Sequence, residues 1–161
     1  MHNGQFNTIM QKISIKDKLF VTIQIILLIA YLIPIKLINF ELNFYFKYFC
    51  LAVVVFAFIE MLIALFQLNK SLTEFPTPKE NGILITNGVY KYIRHPIYTG
   101  IIISTLFFGI YNTNSWEILI SMLLFILFYF KSNYEELMLE KHYTNYKEYK
   151  KKTYKFFPLI L

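Results

Sequence analysis

Tyr48–Leu68 reads YFCLAVVVFAFIEMLIALFQL, an apolar run interrupted by Glu60 and closed by Gln67, Asn69 and Lys70. At a rise of ~1.5 Å per residue, a helix of this length crosses a hydrocarbon core ~30 Å thick. The rest of the chain has the same character: 57% hydrophobic and 19% aromatic residues, with a mean hydropathy of +0.47. This is too apolar for an ordinary soluble domain, and 161 residues are too few for two domains. The expectation is one all-α integral membrane domain over residues 1–161.

Upstream, Leu19–Ile35 is a second uncharged apolar run, with Pro34 marking its end or a kink. The segment Met1–Lys18 is polar and lacks the short apolar stretch and small-residue cleavage site of a secretory signal. The first hydrophobic run is therefore expected to stay as a membrane anchor. Downstream, Ser71–Pro96 is polar and rich in turn formers, namely Pro76, Pro78, Asn81-Gly82 and Asn87-Gly88, and reads as a structured loop.

Two shorter apolar runs follow, Ile97–Tyr111 and Trp116–Phe130, joined by Asn112–Ser115. They read as a tight helical hairpin, and the second helix nears spanning length if it continues past Lys131, whose stem can snorkel. From Lys131 onward the chain is amphipathic and charged. Leu137, Leu139, Tyr143 and Tyr146 recur at roughly helical spacing between Glu and Lys, which predicts a helix lying on the membrane surface until Pro158. The expected architecture is about four transmembrane helices plus this C-terminal surface helix.

The net charge of +6 and pI near 9.3 do not point to nucleic acid, because the basic residues flank apolar runs instead of forming a stripe. Anionic lipid headgroups are the expected counter-charge. Lysines and the single arginine concentrate before Leu19, in the long loop (Lys70, Lys79, Lys91, Arg94) and after Phe130; the first loop holds Lys36 and Lys47, and the hairpin turn none. The positive-inside rule then places both termini in the cytoplasm, with loop and tail sharing one face and able to build one site. The single cysteine, Cys50, lies inside an apolar run and reads as a packing or lipid-facing residue.

Chemistry concentrates in Leu84–Gly100, LITNGVYKYIRHPIYTG. Pro96 suits the first turn of a helix and disfavours helical geometry at His95, so Arg94 and His95 stand at a helix entrance. A helix N-terminus beside a guanidinium attracts an anionic group; anchoring at the headgroups is the competing role for Arg94. His95 fits a ligand contact, a general base or a structural hydrogen bond. Tyr90 and Tyr98 offer rings and hydroxyls to a ligand, or serve as interfacial belt residues. On the same face, Glu135 and Glu136 can accept from an ammonium or a ribose diol, or form a solvated helix face with Glu140 and Lys141. Glu60, inside a spanning run, faces a cavity or bonds, protonated, to a neighbouring helix. No dinucleotide, Walker or serine-nucleophile motif occurs, and the distant His2, His95 and His142 do not form a metal site.

The residues GVYKYIRHPIYTG, preceded by LITN and followed by EELML and YKEYKKKTYKFFP, resemble the isoprenylcysteine carboxyl methyltransferase and phospholipid methyltransferase superfamily over about residues 70–158. The resemblance implies a small integral membrane enzyme using S-adenosylmethionine. Its cofactor contacts fall on Ile83, Leu84, Ile85, Tyr90, His95, Pro96, Ile97, Tyr98 and Glu135. The basic residue one helical turn before that glutamate falls on Lys131, placing Lys131, Arg94 and His95 as candidate catalytic residues. The expected acceptor is a lipophilic small molecule or prenylated substrate arriving from the bilayer. Integral membrane sterol reductases also carry RHP-Tyr beside a similar tail, so an NADPH-dependent reductase is the first alternative and a non-catalytic scaffold the second.

Overall fold

A computed structural model describes residues 13–35, 37–38, 40–68, 71, 73, 75–79 and 81–158. The expectations placed on residues 1–12, Lys36, Asn69 and Lys70 lie outside these. Among the described residues there are five α-helices: α1 (Ile15–Tyr31), α2 (Phe44–Leu68), α3 (Pro96–Tyr111), α4 (Ser115–His142) and α5 (Tyr146–Lys151), with a 3-10 turn at Gly88–Lys91. The helices pack as a row in which α2 lies on α3, α3 on α4, and α4 on α1.

The first apolar run forms its helix four residues earlier than its hydropathy suggests, because Ser14 and Asp17 build a capping box. Ser14 Oγ accepts from Asp17 N at 3.1 Å, and Asp17 Oδ2 accepts from Ser14 N at 2.7 Å. The helix closes at Tyr31, before Pro34, so the residues around that proline are not helical. In α2 the buried positions are Cys50, Ala57 and Ala64, spaced by seven, a small-residue stripe that admits α3 closely. Gly100 of α3 sits against it: a Cβ there would lie 2.6 Å from Met61 Cβ and 3.1 Å from Ala57 O, leaving no room for any larger residue. Glu60 does not bond to a neighbouring helix through Oε1, which is buried without a hydrogen-bond partner.

The hairpin between α3 and α4 is as tight as expected. Thr113 takes a positive φ of 52°, and Asn114 caps α4 by accepting from Trp116 N at 3.0 Å. The charged segment after Lys131 departs from the expected surface helix. Its first part is the uninterrupted continuation of α4 to His142; helix resumes only at Tyr146–Lys151, and residues 153–158 are not helical. The physical reason is pairing and burial. Tyr154 N donates to Tyr92 O, Arg94 N to Tyr154 O and His95 N to Lys155 O, a parallel bridge that ties the tail to the strand-like residues before α3. Phe156 then enters the core with Ile102, Ile120, Leu124 and Phe128.

Two helices, α2 with 25 residues and α4 with 28, are long and apolar enough to cross a membrane. With 17 and 16 residues, α1 and α3 reach only about 24–26 Å at ~1.5 Å per residue. Large apolar side chains stay exposed along α2, including Tyr45, Phe56 and Phe66.

Candidate functional site

The loop, the start of α3, the second half of α4 and the tail enclose a cavity of about 310 Å³. The residues that the resemblance assigns to cofactor or catalysis line it, with Arg94 beside them: Ile83, Leu84, Ile85, Tyr90, Arg94, His95, Pro96, Ile97, Tyr98, Lys131 and Glu135; Glu136, the other glutamate singled out from the sequence, does not. Three devices hold these segments together. Gln67, at the end of α2, accepts from Val89 N at 3.0 Å and lies where any side chain at Gly88, with φ +60°, would collide. Pro96 opens α3 while His95 takes φ −123°, ψ 58°. Thr99 Oγ1 donates to Phe156 O at 2.9 Å, fastening the tail to α3.

The two adjacent glutamates of α4 separate into different environments. Glu136 is 2% exposed and is the centre of an ionic cluster. Its Oε1 accepts from Arg94 Nε at 2.9 Å and lies 3.3 Å from His95 Nε2 and 3.9 Å from Lys155 Nζ, while Oε2 pairs with Lys150 Nζ at 2.9 Å. Burial tends to lower the Lys150 pKa, but its bonds to Glu136 and Glu140 raise it overall, so this ammonium stays charged. Burial lowers the Lys155 pKa despite the nearby Glu136. Glu135 is partly exposed and faces the cavity; its Oε2 accepts from Tyr98 Oη at 2.8 Å and lies 3.7 Å from His95 Nδ1.

Arg94 does not present itself as a headgroup anchor. Its Nη1 also donates to the Lys150 carbonyl at 3.2 Å and to the Thr153 carbonyl, so the guanidinium binds Glu136 and the tail together. His95 stacks on Tyr98 with centroids 5.4 Å apart, and Tyr98 stacks on Phe128 at 4.6 Å. Lys131 is 2% exposed; its Nζ donates to Gln24 Oε1 at 2.8 Å and stands 5.3 Å from the Tyr98 ring centre.

Burial also raises the pKa of the tyrosine hydroxyls around the tail. For Tyr149 it is pushed up to about 12, Arg94 opposing and Glu136 adding to the rise. Tyr149 therefore stays protonated and donates to Tyr90 O at 2.6 Å.

Sequence reasoning missed several contributors. Gln24 and Val21 bring α1 into the cavity wall, and Tyr143 and Tyr146 bring in the tail. The amide of Gln24 in an otherwise apolar run was the available signal. Tyr146 is 1% exposed, and its hydroxyl is buried without a hydrogen-bond partner. The division of labour between Glu135 and Glu136 had no sequence signal, since the two are adjacent, chemically identical residues on the same helix.

Fold and site together define a small, strongly apolar helical protein with a cavity, apolar-walled and bearing a few polar groups, at the junction of its loop, α4 and tail. The chain belongs to the family described as "Protein of unknown function (DUF1295)", whose model matches residues 2–153. No curated protein matches the chain.

Proposed function

We propose that the protein is an S-adenosylmethionine-dependent methyltransferase, held in a membrane by its apolar helices with both termini and the site on the cytoplasmic side, that modifies a lipophilic acceptor. The observation that carries this reading is the Glu135–Tyr98 pair. It sets a cavity-facing carboxylate, already oriented by a phenol at 2.8 Å, among apolar and aromatic walls. The donor set suits the cofactor. Glu135 matches an ammonium or a ribose diol, Ile83, Leu84, Ile85 and Ile97 offer apolar contact to an adenine, and the unpartnered Tyr146 hydroxyl offers a further polar contact.

When bound, S-adenosylmethionine supplies a methyl group already activated on a sulfonium. The protein's part is then mainly alignment of acceptor and donor within ~3–3.5 Å and exclusion of water. Lys131, one turn before Glu135 on α4, sets a cation at the far side of the Tyr98 pair, where it can hold an anionic acceptor. A carboxylate acceptor needs no proton transfer. For an amine acceptor, His95 is the group at hand as general base, with Nδ1 3.7 Å from Glu135 and Nε2 3.3 Å from Glu136. Arg94 acts through Glu136 and the tail, as a positioning residue.

A reductase would need its cavity to neutralise the phosphates of NADPH. Among the described residues, the Lys and Arg side chains that line it are Arg94, already paired with Glu136, and Lys131. Calorimetric titration of the reconstituted protein separates these readings. S-adenosylmethionine should bind the wild type and lose affinity in Glu135→Ala. Binding of NADPH without S-adenosylmethionine would replace the methyltransferase by a reductase, and no binding of either to folded protein would leave a scaffold.

A further inference from the structure

Two short segments, residues 90–94 before α3 and residues 149–154 from α5 into the tail, are stitched side by side. Tyr149 Oη donates to Tyr90 O at 2.6 Å, Tyr154 N to Tyr92 O at 2.9 Å and Arg94 N to Tyr154 O at 2.8 Å. The Arg94 guanidinium adds bonds to the Lys150 and Thr153 carbonyls.

This seam has two faces. Tyr90, Arg94 and Tyr149 line the cavity, and Ile93 is buried. Tyr92 and Tyr154, whose backbones are joined across the seam, are 61% and 40% exposed, and Lys91, Lys151 and Lys152 are exposed with them. The Lys91 ammonium stands 5.6 Å from the Tyr92 ring centre.

The faces differ in how their cations are compensated. Inside, Glu136 and Glu140 of α4 take up Arg94 and Lys150. Neither segment of the seam contains an acid of its own. Among the described residues, Lys91, Lys151 and Lys152 make no ion pair, even though Glu148 lies one turn of α5 before Lys151. Two amphipathic rings and three cations on a surface without carboxylates match a layer that is negative outside and apolar beneath, which is the headgroup region of an anionic bilayer. The membrane reading above already sets a bilayer beside the helices, which favours lipid over a soluble polyanion.

We propose that the outer face of the seam, Lys91, Tyr92, Lys151, Lys152 and Tyr154, docks on the anionic lipid headgroups of the cytoplasmic leaflet. The proposal rests on the membrane part of the reading above and not on the cofactor. Because the inner face of the same two segments is a wall of the cavity, lipid on one side and ligand on the other would share one piece of backbone.

The full chain with Cys50→Ala and Tyr92→Cys, carrying a bimane at the new cysteine, can be reconstituted in vesicles of phosphatidylcholine and phosphatidylglycerol. Quenching by phosphatidylglycerol spin-labelled near its headgroup is then compared with quenching by phosphatidylcholine labelled at the same place, and Tyr154→Cys serves as a second reporter. Phosphatidylglycerol should be enriched at the probe about fivefold for each lysine engaged. Raising the salt toward molar should erode the enrichment. The triple variant Lys91→Gln/Lys151→Gln/Lys152→Gln should abolish the preference, whereas Lys16→Gln/Lys18→Gln at the start of α1 should leave it unchanged.

Equal quenching by the two lipids would overturn the proposal. So would an equal loss in the Lys16/Lys18 variant, because the attraction would then belong to the overall charge. Quenching by neither lipid would set the face in water, overturn the lipid assignment and leave the face to a soluble partner. Failure of the chain to float with the vesicles would instead overturn the membrane reading, and this proposal with it.

Discussion

The two ends of α4 each hold a buried or half-buried carboxylate, and they hold it in opposite ways. At the N-terminal end, Glu117 accepts from neutral donors only: Asn112 Nδ2 at 2.9 Å, Asn114 Nδ2 at 3.0 Å and Tyr31 Oη at 3.4 Å. At the C-terminal end, Glu136 is surrounded by Arg94, His95, Lys150 and Lys155. The first arrangement caps a helix and closes a hairpin, where the macrodipole already favours negative charge. The second neutralises one glutamate so thoroughly that its neighbour, Glu135, is left to face the cavity. A carboxylate satisfied by amides stabilises a turn, whereas one satisfied by cations can organise a binding site beside it.

The largest effect that tests this contrast is expected from Glu136→Ala. Removing the carboxylate leaves Arg94 buried without its acid, a loss of about 3–5 kcal/mol for a buried pair broken on one side. Thermal unfolding in detergent should show a steep drop, together with release of the tail. An unchanged midpoint would break the comparison, because Glu136 would then be no more than a surface residue. Glu135→Ala should lower affinity for S-adenosylmethionine about 10- to 100-fold, as expected for a charge-assisted bond of about 1.5–3 kcal/mol, with little change in thermal stability. If stability falls and affinity does not, the roles assigned to the two glutamates are reversed.

Glu117→Gln keeps the shape of the cap but weakens its hydrogen bonds. It should cost about 1 kcal/mol of stability and leave cofactor affinity unchanged. The smallest effect is expected from Glu140→Ala, which removes the outer partner of the partly exposed Lys150. Exposed pairs contribute about 0–1 kcal/mol, so unfolding should barely move and the Glu136 cluster should persist.

Much of this architecture is legible in the residues themselves. The long run at Tyr48–Leu68, the hairpin at Asn112–Ser115 and the helix start at Pro96 are local signals, and the structure keeps each of them. The cavity lining was legible in part, through RHPIY and the first glutamate of the pair, Glu135. What was not legible depends on partners distant in sequence. The segment after Lys131 has the spacing of a surface helix, yet Phe156 gains more from the core with Leu124 and Phe128 than from continuing a helix, and the tail turns inward. Gln24 has no role until α4 sets Lys131 opposite it. Similarly, nothing local distinguishes Glu135 from Glu136, because the difference arises from Arg94 and Lys150 on other segments.

The Tyr98 ring lies nearly parallel to both His95 and Phe128, at 3° and 15°, while its oxygen is tethered to Glu135. A phenol so stacked and tied has lost its rotational freedom during folding, and the carboxylate it grips is aimed before any ligand arrives. The ordering entropy at this wall of the cavity is thus spent by the fold, leaving more of the contact energy to appear as affinity.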